Sequence, residues 1–324
     1  MAQLYNKSIL FLHFVLTGCI IFCITETTYA QDKKIKFAVI SDHRSDFDAL
    51  DKALDFVVSQ KVDFLFVVGD FDPLNDAYTN YYTTRGFEVR EDVQPNNQSL
   101  FFVMGNHDAP PSGDDFFRNN IAPYYPDNGP CSAFCAPQGT IFSFDKENAH
   151  FVITNQYWNY PKGGYTSEQL KWIDEDLQAS QQPYKFVFGH EPAFPIHRHE
   201  GNSIDIDPSV RDEFWEILAD NDVRAFFCGH SHHLSVIKNQ GIYQIDSGEV
   251  VSDHLAIVIV EIDGPLAVAR LYETEGSIPT ARQNDNVFNA SMQNETDGDV
   301  AYSVLFDSDF ERPACFIQTI YYFK

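Results

Sequence analysis

The sequence predicts an α/β fold with two packed sheets, on three observations. Short, nearly continuous runs of β-branched and aromatic residues recur, segments with helical spacing lie between them, and a second group of strand-like runs comes later with few helices in between. The first group is residues 35–40, 64–68, 100–104, 186–188 and 223–228. These runs are apolar without alternation, as strands buried on both faces must be. Phe47, Leu50, Leu54 and Val57 share one face of the first helical segment. Leu170, Ile173 and Leu177 share a face of the second, behind a capping box from Thr166 to Gln169. Asp207 then Pro208 opens a third, which carries Val210, Phe214, Ile217 and Leu218. The second group of strands, residues 140–144, 150–154, 234–237, 254–262 and 266–272, reads as a second sheet packed on the first.

With 324 residues, 44% of them hydrophobic, the chain can bury a core of one large domain or two modest ones. The 29 Phe and 16 Tyr, and the lack of any repeat, exclude a disordered or fibrous protein. Lys and Arg total 22 against 47 Asp and Glu, a formal charge of -25. No basic run is long enough to follow a phosphate backbone, which argues against a nucleic-acid polymer as partner. The acidity reads either as a solvated surface or as a field that attracts divalent cations.

Lys7 precedes an apolar tract over residues 9–24, which turns polar towards Ala30. This pattern predicts a secretory signal peptide over residues 1–30, cleaved near Ala30, and a secreted or periplasmic protein with no stable membrane span in the mature chain. Leu16-Thr17-Gly18-Cys19 has the form of a lipoprotein cleavage box, so a lipid anchor at Cys19 is the lesser alternative, and an uncleaved anchor the third. Export permits disulfides, and Cys131 and Cys135, in a loop bounded by Gly129-Pro130 and Pro137, are expected to pair. Zinc is the alternative for so close a pair, but no second pair occurs at the usual spacing. Residues 31–275 form the main domain, and 276–324, after a polar stretch without period, an accessory extension.

The chemistry lies at the carboxyl ends of the first group of strands, where α/β sheets place their sites. Ser41-Asp42-His43-Arg44, Gly69-Asp70, Gly105-Asn106-His107-Asp108, Gly189-His190-Glu191 and Gly229-His230-Ser231-His232-His233 each stand at such an end. Four times a Gly precedes the polar residue, an arrangement expected to let the backbone turn sharply off the strand.

In this order, over about residues 35–272, these motifs resemble the calcineurin-like metallophosphoesterase superfamily, which includes purple acid phosphatases and metal-dependent phosphodiesterases. The resemblance implies a two-sheet β-sandwich flanked by helices, a four-layer αββα arrangement, with residues 31–275 as the catalytic domain. It implies two divalent metal ions, with Zn, Mn or Fe suited to a mixed O and N ligand set. Asp70 would bridge them. Asn106, His190 and His230 would join it at one position, and Asp42 and His232 at the other. Two cations roughly 3.5 to 4 Å apart would supply a hydroxide nucleophile at neutral pH and balance charge on the phosphoryl oxygens. His107 would protonate or stabilise the leaving oxygen, with Asp108 orienting its ring.

One motif departs from the family. The superfamily commonly has Asp-x-His first, and this chain has Arg44 where the His belongs, with His43 displaced by one. The Tyr that purple acid phosphatases carry three residues past the bridging Asp is Pro73 here, which argues against a coloured ferric site. Three fillings of the missing ligand position stay open: His43, a water, or weak metal binding. With water there, Arg44 would lie close enough to contact a substrate phosphate bidentately; the alternative for Arg44 is a surface salt bridge. His197 and His199 come after the Gly189-His190 motif, as phosphate-contacting His do in purple acid phosphatases. The function expected is hydrolysis of a small phosphomonoester or phosphodiester. The alternative is a non-catalytic metal- or phosphate-binding module on the same fold. Oligomeric state is not legible.

Overall fold

In the computed structural model the described residues are 34–108, 115–130, 139–158, 163–252, 254–264, 266–273 and, for the backbone, 300–307. The expected signal peptide and the Cys131 and Cys135 pair lie outside them. Of the stretch 276–324, the described part is one strand.

The chain runs β1 (Lys34–Ile40), α1 (Phe47–Ser59), β2 (Phe64–Val68), α2 (Leu74–Ala77), β3 (Leu100–Val103) and α3 (Asp115–Asn120). Next come β4 (Phe142–Lys146), β5 (Ala149–Ile153), α4 (Ser167–Ala179), β6 (Tyr184–Phe188), α5 (Pro208–Asp220) and β7 (Ala225–Cys228). The chain then becomes all-strand, with β8 (Leu234–Asn239), β9 (Ile242–Ser247), β10 (Val250–Val251), β11 (His254–Asp263), β12 (Leu266–Glu273) and β13 (Val300–Asp307).

Two sheets form, in the orders β13-β12-β11-β1-β2-β3, with β10 beside β11, and β4-β5-β6-β7-β9-β8. The expected two-sheet architecture is present, but the two sequence groups of strands are not the two sheets. The βαβ units split between them: β1-β2-β3 are parallel in one, and β5-β6-β7-β9 parallel in the other. Antiparallel strands extend both, so β11 and β12 join the sheet of β1, while β4 and β8 join that of β6 and β7. Ladder partners are chosen at long range, which the company of helices along the chain does not report. The strand β13 pairs antiparallel with β12 and ends the first sheet.

Between the sheets lies a core of phenylalanines. Phe37 sits edge-on to Phe151, Phe186 and Phe227 of the other sheet, and Phe66 stacks on Phe188 with centroids 4.0 Å apart. On the outer face of the first sheet α1 buries Leu50, Ala53, Leu54 and Val57. On that of the second, α4 and α5 bury Leu170, Ile173, Leu177, Phe214, Trp215 and Leu218. Asp46, Thr166 and Asp207 cap these helices by accepting backbone N–H bonds. The capping box behind Thr166 is only half made: Gln169 donates its N–H to Thr166 Oγ1, while its buried amide pairs with the Asn155 backbone. None of the described helices is long and apolar enough to cross a membrane.

Candidate metal centre

Packing the sheets face to face brings the carboxyl ends of β1, β2, β3, β6 and β7 to one edge, where all five motifs meet. Asp42, Arg44, Asp70, His230 and His232 have φ between 44° and 67°, a left-handed conformation that non-glycine residues adopt rarely and mostly at functional sites. Of the four motif glycines, only Gly69 has a left-handed φ, 88°. The others serve close approach instead of a turn: a Cβ on Gly105 would stand 2.5 Å from Asp70 Oδ1, and one on Gly229 2.5 Å from Asp42 Oδ2.

The side chains converge as two sets sharing Asp70. In the first set Asp42, Asp70 and His232 each offer one ligand atom, all within 4.8 Å of one another. In the second, Asn106 Oδ1 lies 3.1 Å from His190 Nε2 and 3.0 Å from His230 Nδ1, and Asp70 Oδ1 lies 3.4 Å from His190 Nε2. Each ring is held by its outer nitrogen. His190 Nδ1 is 2.8 Å from the Val68 carbonyl, His230 Nε2 3.4 Å from the Asn202 carbonyl and His232 Nδ1 2.6 Å from Glu249 Oε2, so the inner nitrogens face the centre. Arg198 Nη1 lies 2.7 Å from the same His232 Nδ1. Glu249 and Arg198 therefore both meet the outer nitrogen of His232, a carboxylate when that nitrogen carries its proton and a guanidinium N–H when it does not.

This donor set fits divalent cations. Asp42 Oδ2 accepts the His230 N–H at 2.9 Å, but buried Asp42 Oδ1 has no hydrogen-bond partner and faces His232 Nε2 at 3.3 Å. Burial works against a charged His190 ring, yet Asp70 and Asp42 hold its pKa up, at about 8. His232, likewise buried, is raised to about 9 by Asp42 and Glu249. The carboxylates around His190 and His232 thus favour positive charge on those two rings. His230 goes the other way, pushed far down by burial and by His190 and His199. Although burial opposes its ionisation, His190, the His107 N–H and Arg44 hold the Asp70 carboxyl below the ordinary range.

The remaining expected site residues are spread around this centre. The His107 ring is half-exposed at the mouth, with Nε2 3.9 Å from Asp70 Oδ2. The structure does not bring Asp108 to that ring: its carboxylate accepts the N–H groups of Gly105, Asp70 and Phe71 at 2.6, 2.8 and 2.8 Å. Burial and the Asp70 charge push Asp108 up to about 7, against those bonds. His43 is fully buried and turned away, with Nε2 2.7 Å from Tyr82 Oη and Nδ1 2.7 Å from the Arg44 carbonyl; burial pushes it down to about 4. Arg44 Nη2 lies 3.2 Å from Asp70 Oδ2. His199 stacks on His230, centroids 4.1 Å apart, whereas His197 packs on His233 at 5.5 Å. Tyr78, Tyr81 and Tyr82 pack within the fold, Tyr81 stacked on Phe47.

Sequence reasoning missed Glu249 and Arg198. Glu249 had a signal: it comes directly after Gly248 at the end of β9, the same strand–Gly–polar pattern as the other motifs, on a strand not recognised. Arg198 lies in a loop and had none.

The model of the calcineurin-like phosphoesterase family matches residues 35–234. Rat tartrate-resistant acid phosphatase type 5 is 31% identical over 206 residues, 57% of this chain and 60% of that enzyme. Purple acid phosphatase 3 of Arabidopsis thaliana is 26% identical over 240 residues, 64% of this chain and 60% of its own length. The chain therefore spans about three-fifths of the length of these two relatives. Among solved structures, GAP50, the anchor in the inner membrane complex of Plasmodium, shares the fold with a TM-score of 0.56 at 15% identity, covering 86% of this chain and 90% of that one.

Proposed function

Because this chain belongs to the calcineurin-like phosphoesterase family, we propose that it is an exported, metal-dependent phosphoric ester hydrolase acting on a small phosphomonoester or phosphodiester. The observation that carries the reading is the convergence of Asp42, Asp70 and His232 beside Asn106, His190 and His230, with buried Asp42 Oδ1 lacking a hydrogen bond and facing His232 Nε2. Asp70, Asn106, His190 and His230 would hold one ion; Asp42, Asp70 and His232 provide three ligands for a second. Zn, Mn or Fe suits such mixed O and N donors. Bound ions supply Lewis acidity and make water nucleophilic at neutral pH.

The chain's own residues do the rest. Asp108 ties the Gly105 and Asp70 backbones together and so fixes two ligand loops against each other. His107, anchored by its backbone N–H to Asp70 Oδ1 at 3.0 Å and with its ring half-exposed at the mouth, can deliver a proton from that ring to a leaving oxygen. Arg44, with its guanidinium beside Asp70 and partly in solvent, can receive a phosphoryl oxygen. The apolar tract over residues 9–24 supports export.

The test is the initial rate on p-nitrophenyl phosphate and on bis-p-nitrophenyl phosphate, with added Mn or Zn and with a chelator. The monoester comes first because the rat and Arabidopsis relatives are named acid phosphatases. Chelator-sensitive turnover that metal restores is the expected result. A folded, metal-loaded chain inert on both esters would favour the binding module instead.

A further inference from the structure

A guanidinium stands against one member of the three-ligand set, with Arg44 Nη2 3.2 Å from Asp70 Oδ2. We propose that Arg44 is a built-in cation at that position, so that the chain binds one metal ion tightly, on Asp70, Asn106, His190 and His230, and a second only weakly. This rests on the metal-dependent reading of the same site.

Four observations place Arg44 there. Its backbone is bolted to the end of β2, since the Arg44 N–H donates to the Asp70 carbonyl at 2.9 Å and the Asp42 N–H to the Gly69 carbonyl at 3.1 Å. Its φ of 44° is left-handed, a conformation rare for a non-glycine residue. The Asp70 carboxylate is divided: Oδ1 faces His190 Nε2 at 3.4 Å, whereas Oδ2 faces Arg44 Nη2 at 3.2 Å. Buried Arg44 Nε has no hydrogen-bond partner, which leaves a donor for an anionic oxygen at the same place. The other residue that could complete this set, His43, is committed to Tyr82 and to the Arg44 carbonyl.

Charge and distance set the electrostatic consequence. Asp42 and Asp70 bring two negative charges to the first set, and Arg44 already answers one of them. A divalent ion held by this set would share Asp70 with a fixed positive charge that lies 3.2 Å from Asp70 Oδ2. Like charges at that separation weaken binding by about 100-fold or more. The second set meets Arg44 through the shared Asp70, whose Oδ1 faces His190 Nε2 instead. A guanidinium also differs from the ion it replaces: it offers planar donors to phosphoryl oxygens and cannot be removed by a chelator.

Metal content decides this independently of turnover. The purified chain, stripped with a chelator, reloaded with Mn and dialysed, is expected to keep one ion and to show an uncoupled Mn(II) resonance. Arg44→His and Arg44→Ala are expected to keep two, with an exchange-coupled signal and second-ion binding tightened by about 100-fold. Two tight ions in the wild-type chain, or variants that still hold one, would overturn the proposal. A folded wild-type chain that keeps no ion would instead overturn the metal-dependent reading itself.

Discussion

Phe66 of β2 and Phe188 of β6 stack with ring centroids 4.0 Å apart and planes 22° off parallel, although they belong to different sheets. The two strands they lie on end in Gly69-Asp70 and Gly189-His190. The pair therefore joins the hydrophobic core to the ligand geometry, because the distance from Asp70 to His190 is set by how the two sheet ends pack.

Phe188→Ala should accordingly affect both properties. Truncating a fully buried Phe costs about 3–5 kcal/mol, and Phe188 is fully buried at the end of β6, two residues before His190. We expect a lower urea midpoint and, in the folded fraction, weaker metal retention against a competing chelator. An unchanged metal affinity in a destabilised protein would separate the core from the site.

His107→Ala should lower kcat by about 10²- to 10⁴-fold while metal content stays at the wild-type level. The His107 ring lies outside both ligand sets, half-exposed, and its contact with Asp70 Oδ1 is through the backbone N–H, which the substitution keeps. Elemental analysis alongside the rate checks this.

Glu249→Gln should weaken binding of the ion that His232 would help to hold. Glu249 Oε2, 2.6 Å from His232 Nδ1, directs the other nitrogen towards Asp42. Loss of such an outer partner lowers metal affinity typically by about 10- to 100-fold. Titrating Mn into the wild type and variant would show the difference, with the rate at saturating Mn recovering towards wild type.

His150 makes stability depend on pH away from the site. Burial opposes its charged form, but Asp176 at 2.9 Å and Asp145 at 2.6 Å outweigh burial, and its pKa is raised. A pKa raised by folding contributes stability that is complete below the unfolded value, near about 6.5, and is lost as pH rises through the folded one. The unfolding midpoint of the wild type should exceed that of His150→Gln at about pH 6, and the gap should narrow towards about pH 9. A gap constant with pH would show that the ring contributes by packing alone.

Much of this protein is local in its sequence. Residues 35–40 and 64–68 announce buried strands by composition alone, Thr166 and Asp207 announce helix starts, and Asp42, Asp70, Asn106, His190, His230 and His232 stand out because each lies just past the end of a strand. Such features depend on neighbours a few positions away, so they are legible in one dimension. What needed the tertiary structure is set by partners far along the chain. The sheet that β6 and β11 join depends on ladder partners that the chain order does not name, and β9, with Glu249 behind it, went unrecognised. Asp108 stands next to His107 in sequence, yet its carboxylate is captured by the Asp70 and Phe71 N–H groups, because the β2 and β3 loops cross there. Arg44 and His43 are adjacent and both basic, but opposite side-chain directions send one to Asp70 and the other to Tyr82. The sequence by itself determined which residues could bind metal. Only the packing of two sheets decided which carboxylate oxygen faces the second ligand set and which faces a guanidinium, because that choice is made by distances across the fold.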